Sequence, residues 1–186
     1  RVNGELLDDR PVLNLTAGPP ALINVQILDR RLEVGGDTST VIVDVTDANG
    51  NPTADGTVVT FEVDDGSLSP ASTVTADGRA TTVLSSGITT GTVQIDITAT
   101  RRGAVVFAIA SNIQYTPGPP AQVTISAPSF AVLVASQTEI TVSAVDEFGN
   151  SVASGTVIDL EISPEANGDI APGAVQTDTS GSATAT

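Results

Sequence analysis

Oxygen is the donor atom this sequence offers in quantity. Asp44, Asp47, Asn49, Asn51 and Asp55 crowd one short stretch, and a hard cation such as calcium takes about six to eight oxygen ligands of this kind. The spacing lacks the acidic twelfth-position ligand of an EF-hand loop. A turn accounts for the same residues: Asp47 bonds its own turn backbone, Asn49-Gly50 takes the bend, and Asp55-Gly56 starts the next strand. The turn is the expectation, with weak calcium binding near Asp47–Asp55 left open. Paired carboxylates can also serve glycoside hydrolysis. Two adjacent pairs, Asp8-Asp9 and Asp64-Asp65, sit at strand ends and read as solvated turn residues. His and Cys are absent, which removes Ser-His-Asp and Cys-His nucleophile systems and most transition-metal sites. The chain is read as non-enzymatic, with no catalytic residue, metal ligand or cofactor assigned.

The rest of the composition narrows the partners. Twenty-two acidic residues face seven basic ones in 186 residues, a net charge of −15. Nucleic acid and anionic membrane surfaces would be repelled by that field rather than drawn in. All the basic residues are Arg, and the one Tyr and four Phe leave the apolar content to Val, Ile, Leu and Ala. Such branched residues suit half-buried pleated surfaces. No stretch approaches the roughly 20 apolar residues of a membrane-spanning helix, so no membrane insertion is expected in this segment. Without Cys there is no disulfide framework.

The elements that must hold these residues repeat. Gly18-Pro19-Pro20-Ala21 returns about 100 positions later as Gly118-Pro119-Pro120-Ala121. Asp47-Ala48-Asn49-Gly50-Asn51 returns as Asp146-Glu147-Phe148-Gly149-Asn150, Gly56-Thr57-Val58 as Gly155-Thr156-Val157, and Gly78-Arg79-Ala80-Thr81 as Gly181-Ser182-Ala183-Thr184. A period of this size is that of an autonomous domain rather than a solenoid unit. Within the cassette, apolar residues alternate. Val41, Val43 and Val45 are one such run, Val59, Phe61 and Val63 another, and Val93, Ile95 and Ile97 a third. A strand turns every second side chain inward, so these residues are expected to be buried between two sheets. The predicted strands lie near 21–28, 38–46, 57–63, 72–76, 80–86, 91–101 and 104–116. Seven short strands with turns between them imply an all-β, antiparallel sandwich. The double prolines suit a short stiff joint.

The repeat also sets boundaries. Residues 1–16 align on 101–116 and read as the last strand of a preceding repeat. Residues 17–116 make a complete repeat. Residues 117–186 make a second one, incomplete at its C-terminal end. The second copy keeps Asp146 and Asn150 but carries Ser143 and Ser154 in place of Asp44 and Asp55, which weakens a shared calcium site.

The pattern Asp47-x-x-Gly50-Asn51-Pro52, Asp55-Gly56-Thr57-Val58, Phe61 and Asp77-Gly78-x-Ala80 resembles the bacterial immunoglobulin-like tandem repeats of the intimin and invasin group. The second copy departs from it at Ser151 and Ser154. The resemblance implies tandem immunoglobulin-like β-sandwich domains at the cell surface or outside the cell, acting as a spacer in an adhesin stalk. It also implies that the partners are neighbouring repeats of the same or another chain. Two alternatives stay open: a self-assembling filament or surface-layer subunit, a homopolymer joined by strand complementation, and an accessory module of a secreted hydrolase. In that setting the formal sequon Asn14-Leu15-Thr16 reads as a chance match. Arg30-Arg31 and Arg101-Arg102, the paired cations, protect edges and hairpins or pair with an acidic neighbouring repeat.

Overall fold

The computed structural model describes residues 16–129, 133, 136–163 and 168–186. The expectations for residues 1–15, including Asp8-Asp9 and Asn14-Leu15, lie outside them, as do residues 164–167. Among the described residues the chain is all β, and no helix is long and apolar enough to cross a membrane.

Nine strands form the first unit: β1 (Leu22–Ile27), β2 (Arg31–Glu33), β3 (Thr38–Thr46), β4 (Val58–Val63), β5 (Ser67–Ser69), β6 (Ser72–Val74), β7 (Arg79–Ser85), β8 (Gly91–Arg101) and β9 (Ala104–Thr116). They build two sheets, ordered β1-β3-β7-β5 and β2-β9-β8-β4-β6. Alternation does the sorting. Val41, Val43 and Val45 of β3 face Val59 and Phe61 of β4, and Ile95 and Ile97 of β8, in one sealed core. Eight of the nine residues expected there are buried. Val63 is the exception and is half-buried, because it closes β4 just before the turn at Asp64-Asp65-Gly66. Two strands were not predicted. Both β2 and β5 are three residues long, too short to show a period, and β2 is parallel to β9 from a distant part of the chain.

The long hairpin β8–β9 carries a bulge. Val93 pairs Ile113 but Ile95 pairs Ala110, so the chain around Ser111 and Asn112 holds an extra residue, with Asn112 at φ 63. A bulge shifts the side-chain phase of its strand. Before it, the even-numbered Val106, Ala108 and Ala110 turn inward; after it, Ile113 and Tyr115 do. The larger residues Val105, Phe107 and Ile109 are therefore left outside.

A second core follows the linker. β10 (Gln122–Ser126), β11 (Ile140–Val145) and β14 (Ser182–Ala185) form one sheet, and β12 (Val157–Asp159) pairs with β13 (Ala174–Gln176). Val142, Ala144, Val152, Ile158, Val175 and Ala185 fill the space between. The repeat shows where this core is uncovered. Ile23 of β1 is 8% exposed, whereas its counterpart Val123 of β10 is 49% exposed. Nothing among the described residues stands where β8 and β9 stand in the first unit.

Candidate functional site at the joint between repeats

The carboxylate that looked like a cation ligand is the keystone of a joint. Asp47 follows β3 and is buried. Its Oδ1 accepts the backbone N–H groups of Asn49 and Asn51, both at 2.9 Å, as a turn-initiating Asp should. Its Oδ2 reaches across 29 residues to accept the N–H of Gly18 at 2.9 Å, and the Asn51 amide donates to the same oxygen at 3.1 Å. One side chain thus ties the turn to the Gly-Pro-Pro linker. These donors favour the charged form. The N–H of Gly18 first, then the Asn51 amide, hold the Asp47 carboxyl down at about 2, against burial pushing it up.

Asp146 repeats the arrangement. It accepts from the N–H groups of Phe148 (2.9 Å), Asn150 (2.8 Å) and Gly118 (3.1 Å), and from the Asn150 amide at 2.9 Å. Burial is the largest single influence and raises its pKa, but the amide and backbone donors together outweigh it and hold the group below the ordinary value.

At this second turn the neighbouring repeat comes into contact. The Asn150 amide also donates to the carbonyl of Ile88 at 2.9 Å, and its Oδ1 accepts the N–H of Thr90 at 3.2 Å. Asn51, its counterpart, is exposed, whereas Asn150 is half-buried. The Phe148 ring lies on the backbone of Gly35: a Cβ added there would come 2.8 Å from the ring. Gly35 also holds φ +97, which an L side chain rarely adopts. The receiving loop is itself braced, since Gly35 donates to the Gly87 carbonyl at 2.8 Å and the Thr89 N–H donates to Asp65 at 3.4 Å. Beneath it the buried Tyr115 donates its hydroxyl to the Asp65 carbonyl at 3.1 Å. Burial chiefly, with the Asp65 charge adding, pushes the Tyr115 phenol up to about 12.

The other candidates are dispersed. Asp44 forms a two-point pair with Arg79, at 2.7 and 3.2 Å. Asp55 accepts the N–H of Asp77 at 2.7 Å. Asp64 is exposed and Asp65 braces the loop just described. Among the described residues no three carboxylates converge on one point. The structure gives two of the paired arginines partners inside their own unit: Arg101 donates to the carbonyls of Ala54 and Asp55 at 3.3 and 2.7 Å, and Arg30 donates to that of Ser111. Phe148 and Asn150 were not singled out from the sequence as contact residues. One signal was available: an aromatic in a polar turn where the first copy has Asn49.

This arrangement positions backbone and holds the second turn against the loop at Ile88–Thr90. The family described as invasin, domain 3, matches residues 22–118, more than half of the chain, from β1 through β9 to the linker. No curated protein matches the sequence. Among solved structures, FdeC, an Escherichia coli adhesin, is similar over 92% of this chain at 18% identity and a TM-score of 0.58. The chain spans 57% of that structure's length. The Yersinia pseudotuberculosis adhesin InvE is 22% identical over 88% of this chain and 50% of its own, at a TM-score of 0.46. The D0–D1 domain of intimin is 19% identical over 90% of this chain and 84% of its own, at 0.43. The likeness to FdeC is one of fold, and the family match carries the assignment. The chain belongs to the invasin domain 3 family, immunoglobulin-like modules of cell-surface adhesins.

Proposed function

We propose that this chain is a spacer segment of an adhesin stalk, in which residues 17–116 and 117–186 are successive repeats held at a set angle. The observation that carries the reading is the Asp146–Asn150 turn, whose side chains bond its own linker and the preceding repeat at once. A spacer must resist bending, and a joint with directional hydrogen bonds and a seated ring does so better than a proline linker alone. The same Asp–linker bond at Gly18 gives the first repeat the means to join an upstream neighbour, consistent with residues 1–16 reading as that neighbour's last strand. Small-angle X-ray scattering tests the proposal. An elongated monomer whose maximum dimension is independent of concentration supports it; a collapsed pair of domains counts against it.

One observation favours a second reading, the filament subunit. Val123 and Ile125 of β10 are about half exposed, at 49% and 52%, where a complete sandwich buries the first of these positions. Two strands equivalent to β8 and β9 would cover them. In the spacer reading the same polypeptide supplies them; in the filament reading another copy does. Light scattering separates the two, since the filament reading requires growth with concentration.

A further inference from the structure

The outer face of the β2-β9-β8-β4-β6 sheet is unusually apolar at one edge. Phe107 is 73% exposed and Ile109 65%, with Val105 two residues before them on β9. β8 and β4 continue the same face, because Ile109 pairs Asp96 and Asp96 pairs Glu62. Glu62 and Asp96 are thus directly opposite on neighbouring strands, an arrangement of like charges that costs stability. No arginine lies within ion-pair distance of either among the described residues. A hollow of about 290 Å³ opens between these carboxylates and Thr98, Phe107 and Ile109. On its other side the Ala104–Ala110 half of β9 has no hydrogen-bonded strand neighbour among the described residues, since β2 pairs only with Gln114–Thr116. Exposed apolar patches rimmed by polar residues mark interaction sites, and charge on such a surface selects a partner of opposite sign.

We propose that this face docks a basic, extended segment of a partner protein. Its apolar side chains cover Val105, Phe107 and Ile109, and one arginine or lysine lies in the hollow between Glu62 and Asp96. The charge chooses the occupant. A basic side chain relieves the like-charge pair, and its stem packs on Phe107 while its head meets both carboxylates. A second copy of this chain fits poorly, because face-to-face stacking would bring four carboxylates into one contact on molecules already at −15 each.

The test uses the whole 186-residue chain and two fluorescein-labelled peptides. One alternates Arg with Val and Ile; the other carries Glu in place of each Arg. Fluorescence anisotropy should show binding of the Arg peptide alone, weakened by added salt as exposed charge contacts are. F107S with I109T should weaken it at least tenfold, and E62Q with D96N severalfold. All four side chains point outward, so circular dichroism should be unchanged. Equal binding of both peptides, no binding, or binding unaffected by these substitutions overturns the proposal. Sedimentation velocity closes the remaining case: a dimer of the parent that F107S dissolves would assign the face to self-association and overturn it as well.

Discussion

Replacing Asp146 by Ala should show how much the joint depends on one carboxylate. The side chain is 3% exposed and accepts from three backbone N–H groups and one amide. The variant leaves those three N–H groups without their acceptor, while the Asn150 amide keeps the Ile88 carbonyl. A hydrogen bond to a charged group is worth about 1.5–3 kcal/mol, and a buried donor left unpaired costs about 1–3. The turn lies at the surface, so water replaces part of the loss, and removing the carboxylate relieves its burial. The net expectation is about 2–4 kcal/mol lost from the second repeat, below the plain sum because the bonds share one acceptor. Native-state hydrogen exchange is the assay, because it resolves the second repeat from the first. Protection should fall at Gly118, Phe148 and Asn150 and across β11. Asp146→Asn, which keeps an acceptor oxygen but no charge, should fall between parent and Ala. Asp159→Ala, an exposed position on β12, should change nothing beyond about 0.5 kcal/mol. If Asp146→Ala matches Asp159→Ala, the carboxylate is an ordinary turn residue and the keystone argument fails.

Three further outcomes are expected. Asp47, Asp146 and Asp178, the last accepting the Ser180 hydroxyl and the N–H groups of Ser180 and Ser182, all have folded-state pKa values below the ordinary carboxylate value, so their contribution to stability is complete above about pH 5. It is lost as pH falls toward 2, which urea unfolding at pH 7, 4 and 2.5 should record as a falling midpoint. Tyr115 titrates in the opposite sense: its folded value of about 12 against the usual 10 gives stability that is lost as pH rises between them, with no phenolate absorbance from folded protein at pH 10.5. Phe61→Ala, at a site 3% exposed, should cost about 3–5 kcal/mol in denaturant unfolding; an unchanged midpoint would remove it from the core.

Much of the fold could be read from alternation alone. The predicted ranges 38–46, 91–101 and 104–116 coincide with β3, β8 and β9, because long runs of Val and Ile punctuated by turn dipeptides admit few other structures. Where the reading fell short, the cause was distance along the chain. β2 exists because β9 offers Gln114–Thr116 from some 80 residues away, and a three-residue run has no period to reveal that. The turn at Asp47 was legible as a turn, since its bonds to Asn49 and Asn51 are local. Its hold on Gly18 was not, and neither was the reach of Asn150 to Ile88 and Thr90, whose contact atoms are backbone and carry no residue signature. The outward phase of Phe107 and Ile109 depends on the bulge at Asn112. Side-chain size would have placed them in the core, and a single extra residue reversed that.

The central claim, that the Phe148–Asn150 contact fixes one repeat against the next, is open to a direct distance measurement. The chain has no Cys, so Thr60→Cys on β4 and Asp159→Cys on β12, both exposed, give two unique spin-label sites across the joint. Pulsed electron–electron resonance should return one narrow distance distribution for the parent. With Phe148→Ala and Asn150→Ala added, the distribution should broaden while each repeat stays folded. A parent distribution as broad as the variant's would contradict the account.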